Sequence, residues 1–306
     1  MEMTLPELAP ERAPTSAPDA IQSTVWLSLV LATVGRCDEL DNVLNSLAMQ
    51  QEQGFEIIVI DQNPDDRLVP ILAVPRGLTI RHLRQAKPNL SAARNLGLAN
   101  ARGEWVAFPD DDCWYEADCI GAVRRQILDT PELGGVVARW VEAEPGGERL
   151  SHQLDHAAWR AFRGGDASSI TLFLRRDPVL AANGFDARIG VGQYYGAGEE
   201  TDLLLRLLSL DAPIRYLPAA RVHHHYSTRA PAATRRTWRA TRSRARGVGA
   251  IYAKHRLRPW VIMRGLLAPM LTPLAGTSPL SGLFHGTAAT IGRVQGMIHW
   301  YRHQRD

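Results

Sequence analysis

The chain has little cysteine, no glycine-rich phosphate loop and almost no acid in its last quarter. Each shortage narrows what it can be. Three cysteines in 306 residues, Cys37, Cys113 and Cys119, are odd in number and lack metal-type spacing. A disulfide scaffold and a cysteine-based zinc site are set aside, and the usage fits a reducing cytosol. No G-x-G-x-x-G follows the first apolar run, where ATVGR stands, and no G-x-x-x-x-G-K-[ST] occurs. That disfavours a nucleotide cradled by backbone amides. The first 22 residues carry Pro6, Pro10, Pro14 and Pro18 but neither a basic start nor an apolar core. A disordered leader is expected there rather than a secretory signal. Residues 227–306 hold 14 Lys/Arg and one acid, Asp306, which leaves 21 bases and 31 acids in residues 1–226. The net charge of +3 thus conceals an acidic body and a basic appendage suited to an anionic surface. Hydrophobic content of 45% and charged content of 22% are ordinary for a soluble globular protein.

What is present is a run of strands and helices. Residues 25–32 (VWLSLVLA) form a near-continuous apolar, β-rich stretch, as expected of a strand covered on both faces. Asp38 offers a helix cap, and Leu40, Val43, Leu44 and Leu47 fall on one helix face. Residues 55–60 (FEIIVI) make a second strand that ends at Asp61. Residues 78–83 read as a third, and Ser91 caps a helix to about Ala101. Trp105–Phe108 is a short buried strand, ended by Pro109 because proline cannot donate to a ladder. This alternation predicts a doubly wound α/β domain with a mostly parallel sheet.

In such sheets ligands sit beyond the carboxyl ends of the strands. Thr33 and Arg36, Asp61, and the triplet Asp110, Asp111, Asp112 all fall there. Three carboxylates at the mouth of an apolar strand cost free energy unless a cation or hydrogen-bond donors compensate. Hard divalent ions take carboxylate oxygens, usually with substrate phosphates. The bland alternative is a solvated acidic turn. Further on, strands are expected at 134–141, 170–174, 214–217 and 221–226, with a polar loop over 142–165. Gly190, Gly192, Gly196 and Gly198 suggest a mobile lid before Glu199 and Glu200. Leu203, Leu204, Leu207 and Leu208 follow on a helix whose first turn holds Glu199, Glu200 and Asp202. There, compensation of the helix dipole is a sufficient reason for acids. Strand alternation puts His223 and His225 on one face and His224 on the other, so that either set could ligate a metal or simply decorate the surface.

Together these pieces resemble the inverting family 2 glycosyltransferases of the GT-A fold. The matching stretches are SLVLATVGR, EIIVIDQNPDD, NLSAARNLGLANARGEWVAFPDDDCWY, GAGEETDLLLRL and IRYLPAARVHHH, spread over residues 24–226. The resemblance implies a GT-A domain over 23–226, with a nucleotide-binding half at 23–115 and an acceptor half at 116–226. It implies that Thr33, Arg36, Asp61, Arg94, Asp110 and Asp111 hold a nucleotide-diphospho-sugar. Asp112 and Asp110 would ligate Mn²⁺ or Mg²⁺, with His223 and His225 as further candidates. Glu200 would be the catalytic base, with Glu199 and Asp202 on the acceptor side. A helix N-terminus would favour the ionised form of Glu200. The implied reaction is metal-dependent transfer of a sugar to a glycan or lipid-linked hydroxyl, in cell-surface polysaccharide or glycolipid synthesis. The chain departs from the family in carrying Glu200 where Asp is commoner, and it lacks a Pro-x-Tyr-Asn near the first strand. A non-catalytic nucleotide-sugar or glycan-binding module and a nucleotidyltransferase are the alternatives.

The remaining residues, 227–306, read as a basic and apolar helical extension. Arginine crowds TRRTWRATRSRARG, and residues 265–284 are uncharged but interrupted by Pro269, Pro273 and Pro279. Such a segment suits peripheral attachment to an anionic membrane at its cytoplasmic face. Packing on the catalytic domain or on a second copy of the chain accounts for it equally well. Nucleic acid is the weakest candidate partner.

Overall fold

A computed structural model describes residues 25–143, 150–165, 167–224, 233–271 and 279–303. The expected leader and His225 lie outside them.

The first half is a parallel α/β unit. Strand β1 (Leu27–Thr33) leads through helix α1 (Asp38–Ala48) to β2 (Phe55–Asp61). Short α2 (Val69–Leu72) and β3 (Thr79–Arg84) follow, then α3 (Leu90–Asn100) and β4 (Trp105–Ala107). Every residue of β2 is buried, because helices cover both faces of the sheet and leave no polar alternation to read. Leu27, Leu29 and Leu31 pack with α1 on one face, while Val30 joins Ile58 and Ile60 on the other. Gly103, just before β4, lies against the backbone of Leu27 and Ser28. A Cβ there would come within 2.7 Å of the Ser28 nitrogen, so only glycine fits.

The second half mixes directions. Strand β5 (Cys113–Tyr115), α4 (Cys119–Asp129), β6 (Gly135–Trp140), β7 (His152–Gln153) and α5 (His156–Arg160) come first. They are followed by β8 (Leu172–Arg175), α6 (Arg176–Ala181), α7 (Glu199–Ser209) and β9 (Ile214–His224). The sheet order is β3-β2-β1-β4-β8-β6-β9-β5, with β7 on β9. Strands β3, β2, β1 and β4 are parallel, whereas β8 runs antiparallel to both β4 and β6. The two strands expected at 214–217 and 221–226 are, over the described residues to His224, one strand with a register shift opposite Ala138 and Arg139. Pro218 lies in the shifted stretch, between Leu217 and Arg221.

Three helices complete the fold: α8 (Arg235–Lys254), α9 (Pro259–Leu271) and α10 (Pro279–Arg302). They pack together, α8 and α9 each against α10, and α8 also meets α7. Gly296 lets α10 approach α8 so closely that a Cβ would lie 2.0 Å from the Arg246 carbonyl oxygen. No helix among the described residues is long and apolar enough to cross a membrane.

Candidate active site

The site is built where the parallel sheet changes direction of growth, between β1 and its neighbours β2 and β4. Register alone gathers the residues. Thr33 ending β1 pairs with Asp61 ending β2, and Ala32 bridges to Asp110 just past β4. Crevices at such switch points are the usual ligand sites of open α/β sheets.

Asp61 is fully buried. Its carboxylate accepts from the Asn63 backbone and side chain at 2.8 Å each and pairs with His82 at 2.9 Å. Burial pushes this carboxyl up, but the Asn63 donors and His82 outweigh it and leave it below the usual carboxylate range. Asp111 is nearly as buried and accepts from the Thr33 hydroxyl at 2.6 Å and from Arg36 at 2.7 Å. Burial still holds its carboxyl above the ordinary value. Thr33, Arg36 and Asp111 therefore form one bonded group, beside Asp61.

Asp112 faces the other way, toward the end of β9. It pairs with His224 Nε2 at 3.0 Å and with Arg36. The His224 bond is the largest influence on it and carries its carboxyl below the usual range against the effect of burial. Asp110, Asp112 and His224 present ligand atoms that all lie within 4.8 Å of one another. Two carboxylates and an imidazole at that spacing fit a divalent ion such as Mn²⁺.

The histidine that meets Asp112 is His224, not His223. His223 sits on the opposite face, between Glu142 at 2.6 Å and Glu116 at 3.0 Å, stacked on Trp114 at 5.1 Å. Alternation separated the two correctly but could not say which face looks into the site. Arg94 also differs from expectation. Only 1% exposed, it lies behind the acidic group rather than along the crevice. Its guanidinium holds Glu199 at 3.0 Å, Asp110 at 2.8 Å and the Ser169 hydroxyl at 2.8 Å. Glu199 is buried in that pairing and is not free to meet an acceptor.

Asp202 is likewise withdrawn from any acceptor. It is fully buried and takes Arg206 at 2.8 Å, Lys254 at 2.9 Å and His255 at 2.8 Å. It ties α7 to the end of α8. The glycine-rich approach to α7 is tied in the same way, through Gly190 N–H to the Tyr195 carbonyl (2.8 Å) and Gly196 N–H to the Ser243 carbonyl (3.1 Å). Val191, Gly192 and Tyr194 of its outer turn are exposed. The expected lid is anchored at its C-terminal side to α8.

Glu200 alone of the three acids opens α7 toward a cavity. The cavity measures about 370 Å³ and is lined by Glu200 with Trp140, Trp159, Phe162, Ser168 and Thr201. Trp140 connects it to the acidic cluster, because its ring stands edge-on to His224 at 5.5 Å. Burial, followed by the neighbouring Glu199 charge, pushes the Glu200 carboxyl up to about 8. The helix N-terminus does not keep it in the ordinary carboxylate range, contrary to expectation. Neither tryptophan was singled out from the sequence, where one stands near the end of an expected strand and the other in an expected polar loop.

Residues 28–178 match the family described as Glycosyl transferase family 2. Among curated proteins, a pre-mycofactocin glycosyltransferase of Mycobacterium tuberculosis is 28% identical over 248 residues, covering 74% of this chain and 48% of that protein. An uncharacterized glycosyltransferase of Rickettsia conorii is 29% identical over 95 residues, covering 31% of this chain and 16% of its own length. The chain thus spans half or less of the curated relatives named here. Among solved structures, a mannosyltransferase of Pyrobaculum calidifontis in complex with GDP-Man and Mn²⁺ superposes with a TM-score of 0.58 at 13% identity, covering 90% of this chain and 75% of that one. Staphylococcus aureus TarS 1–349 in complex with UDP-GlcNAc gives a TM-score of 0.54 at 15% identity, covering 91% and 92%. At these identities the likeness establishes a common fold.

Proposed function

We propose, from the match of residues 28–178 to glycosyl transferase family 2, that the chain belongs to that family and transfers a sugar from a nucleotide-diphospho-sugar to an acceptor hydroxyl with inversion. The observation that carries the reading is the meeting of two half-sites at one sheet end. The Asp110–Asp112–His224 cluster reaches, through Trp140, the cavity into which Glu200 opens.

Asp61, with Thr33, Arg36 and Asp111 beside it, is the proposed nucleoside side, at the carboxyl ends of β1 and β2. Asp110, Asp112 and His224 would hold Mn²⁺ or Mg²⁺. A divalent cation there supplies neutralisation of the negative charge that grows on the departing diphosphate. On the other side, Glu200 accepts the acceptor's hydroxyl proton while that oxygen bonds to the anomeric carbon. The carbon–diphosphate bond breaks with its electrons on the nucleoside diphosphate. Attack from the face opposite the leaving group inverts the anomeric centre. Base catalysis of this kind contributes roughly 10²–10⁴-fold. Arg94 acts indirectly: buried between Asp110 and Glu199, it fixes the metal side against the start of the helix that carries Glu200.

The acceptor is proposed to be a glycan or lipid-linked hydroxyl of cell-surface polysaccharide or glycolipid synthesis, with the enzyme working at the cytoplasmic face of an anionic membrane. A panel of nucleotide-sugars, tested by thermal shift with and without Mn²⁺ and then for turnover, tests the reading. Metal-dependent stabilisation with sugar release to an acceptor supports it. Donor binding with no transfer to any acceptor, in a protein equally inert as Glu200→Gln, would make it a binding module instead.

A further inference from the structure

Helices α9 and α10 reverse the usual arrangement of a surface helix. A helix on a soluble domain turns its apolar stripe inward and its charges outward. Here Trp260, Met263, Leu267 and Leu271 follow one another at helical spacing on the outer face of α9, with Met263 59% and Leu267 50% exposed. On α10 the outer face carries Leu280, Leu283, Ile291, Val294, Ile298 and Tyr301, with Leu280 84% and Tyr301 51% exposed. Two charged residues of these helices point inward. Arg264 donates to the Ala161 carbonyl, and Arg293 to the Gly265 carbonyl. The apolar face of α10 runs without a charge until Arg302.

The helices lie side by side and antiparallel, since Thr290 bonds the Leu266 carbonyl at 2.9 Å while Gly286 abuts Pro269. Helix α10 in turn runs beside α8 in the same direction, with Trp238 on Phe284 at 4.8 Å and Lys254 over Trp300 at 5.5 Å. This geometry sets exposed arginines at both ends of the apolar face. Arg235, Arg236 and Arg239 lie at the α8 end nearest Leu280; Arg256, Arg258 and Arg302 lie at the end bearing Trp260 and Tyr301. Residues 233–303 contain no aspartate or glutamate.

We propose that the outer face of α9 and α10, with these flanking arginines, is a docking surface for an anionic phospholipid bilayer. This deepens the membrane location proposed above by naming the surface that makes the contact. Apolar side chains rimmed by arginine and by Trp and Tyr match the acyl, headgroup and interfacial layers of a leaflet. A second copy of the chain fits poorly, because two such surfaces would bring like charges together with no acid on either side. The bilayer contact also bears on the reaction. Helix α8, which carries this pair, packs on the loop leading into Glu200, where a Cβ on Gly247 would lie 1.7 Å from the Ala197 carbonyl oxygen.

The test is flotation of the full chain with vesicles of phosphatidylcholine alone or with one-third phosphatidylglycerol, at low and high salt. The wild type binds the anionic vesicles, releases at high salt and leaves the neutral ones largely free. Leu267→Glu, Ile291→Glu and Ile298→Glu together lower partitioning by about 100-fold, with an unchanged circular dichroism spectrum and unchanged donor-induced thermal shift. Arg235, Arg236 and Arg239 replaced by Ala lower it by roughly 100-fold and flatten the salt dependence. Wild-type protein that stays unbound to anionic vesicles at low salt overturns the proposal, as does a triple-Glu variant that binds like wild type. A wild-type dimer that the triple-Glu substitution converts to monomer overturns it in favour of self-association. Donor-induced stabilisation, read separately, reports on the transferase assignment whichever way flotation falls.

Discussion

Glu200 gives the sharpest prediction because one side chain ties function to stability with opposite signs. Its carboxyl lies at about 8 against an ordinary 4.5, raised by burial and by Glu199. An acid whose folded value is raised favours folding in its neutral form. That contribution is complete below 4.5 and is lost as pH climbs through 8, because the unfolded chain ionises freely and the folded one resists. At 1.36 kcal/mol per unit, ionisation of the unfolded chain alone gives it an advantage of about 3 kcal/mol by pH 7. Glu200→Gln cannot ionise in either state. It should therefore be more stable than wild type at pH 7 by about 3 kcal/mol, a rise in Tm of roughly 6–12 °C, with the difference gone below pH 4.5. Turnover should fall by about 10²–10⁴-fold while donor affinity holds. In wild type, kcat/KM should drop roughly tenfold per unit below pH 8, since only the ionised carboxylate can take a proton. Paired thermal melts and rate profiles across pH check all of this. A Gln variant with a pH-independent stability difference, or one close to wild type in rate, would refute the reasoning.

Other residues make distinct predictions. His224→Ala should weaken Mn²⁺ binding, followed by Mn²⁺ electron resonance titration, by about 10–100-fold or more, whereas His223→Ala should leave it nearly unchanged. Arg94→Met leaves the buried Glu199 and the half-buried Asp110 without their partner. It should cost about 3–5 kcal/mol in urea unfolding, and Arg94→Lys should recover only part of that because a single ammonium cannot reach all three groups. Asp202→Ala breaks the tie among Arg206, Lys254 and His255, so that limited proteolysis should cut between α7 and α8 faster than in wild type. Since Asp202 is held below the ordinary carboxylate range by those partners despite burial, its contribution is present above pH 4 and lost as the solution is acidified through its lowered value.

Much of the architecture was legible because burial on both faces writes itself as continuous apolar runs. Residues 25–32 and 55–60 gave β1 and β2 nearly to the residue, and the leucines after Glu199 gave α7. Register then did the rest at the sheet end, where Thr33, Asp61 and Asp110 meet as expected. What misled was local chemistry that tertiary contacts overrode. Asp38 lies inside α1 rather than capping it, since the helix follows Cys37 with no side-chain cap. Asn89, not Ser91, caps α3, and Ser91 instead donates to the Ile189 carbonyl at 2.5 Å. Helix-dipole compensation covered the three acids of α7 alike, and only the resemblance singled out Glu200. Their fates differ because Arg94 captures Glu199, Lys254 and His255 capture Asp202, and only Glu200 is left facing a cavity. No spacing rule encodes those partners, which lie 52–105 residues away along the chain.

Central to the proposed reaction is that Asp110, Asp112 and His224 form one cation site that holds the donor's diphosphate. The most direct measurement is calorimetric titration of nucleotide-sugars into the wild type and Asp112→Asn, each with Mn²⁺ and with chelator. Donor binding should be strengthened by Mn²⁺ in the wild type and be indifferent to Mn²⁺ in the variant. Equal donor affinity with and without metal in the wild type, or an Asp112→Asn variant that retains full metal dependence, would contradict it.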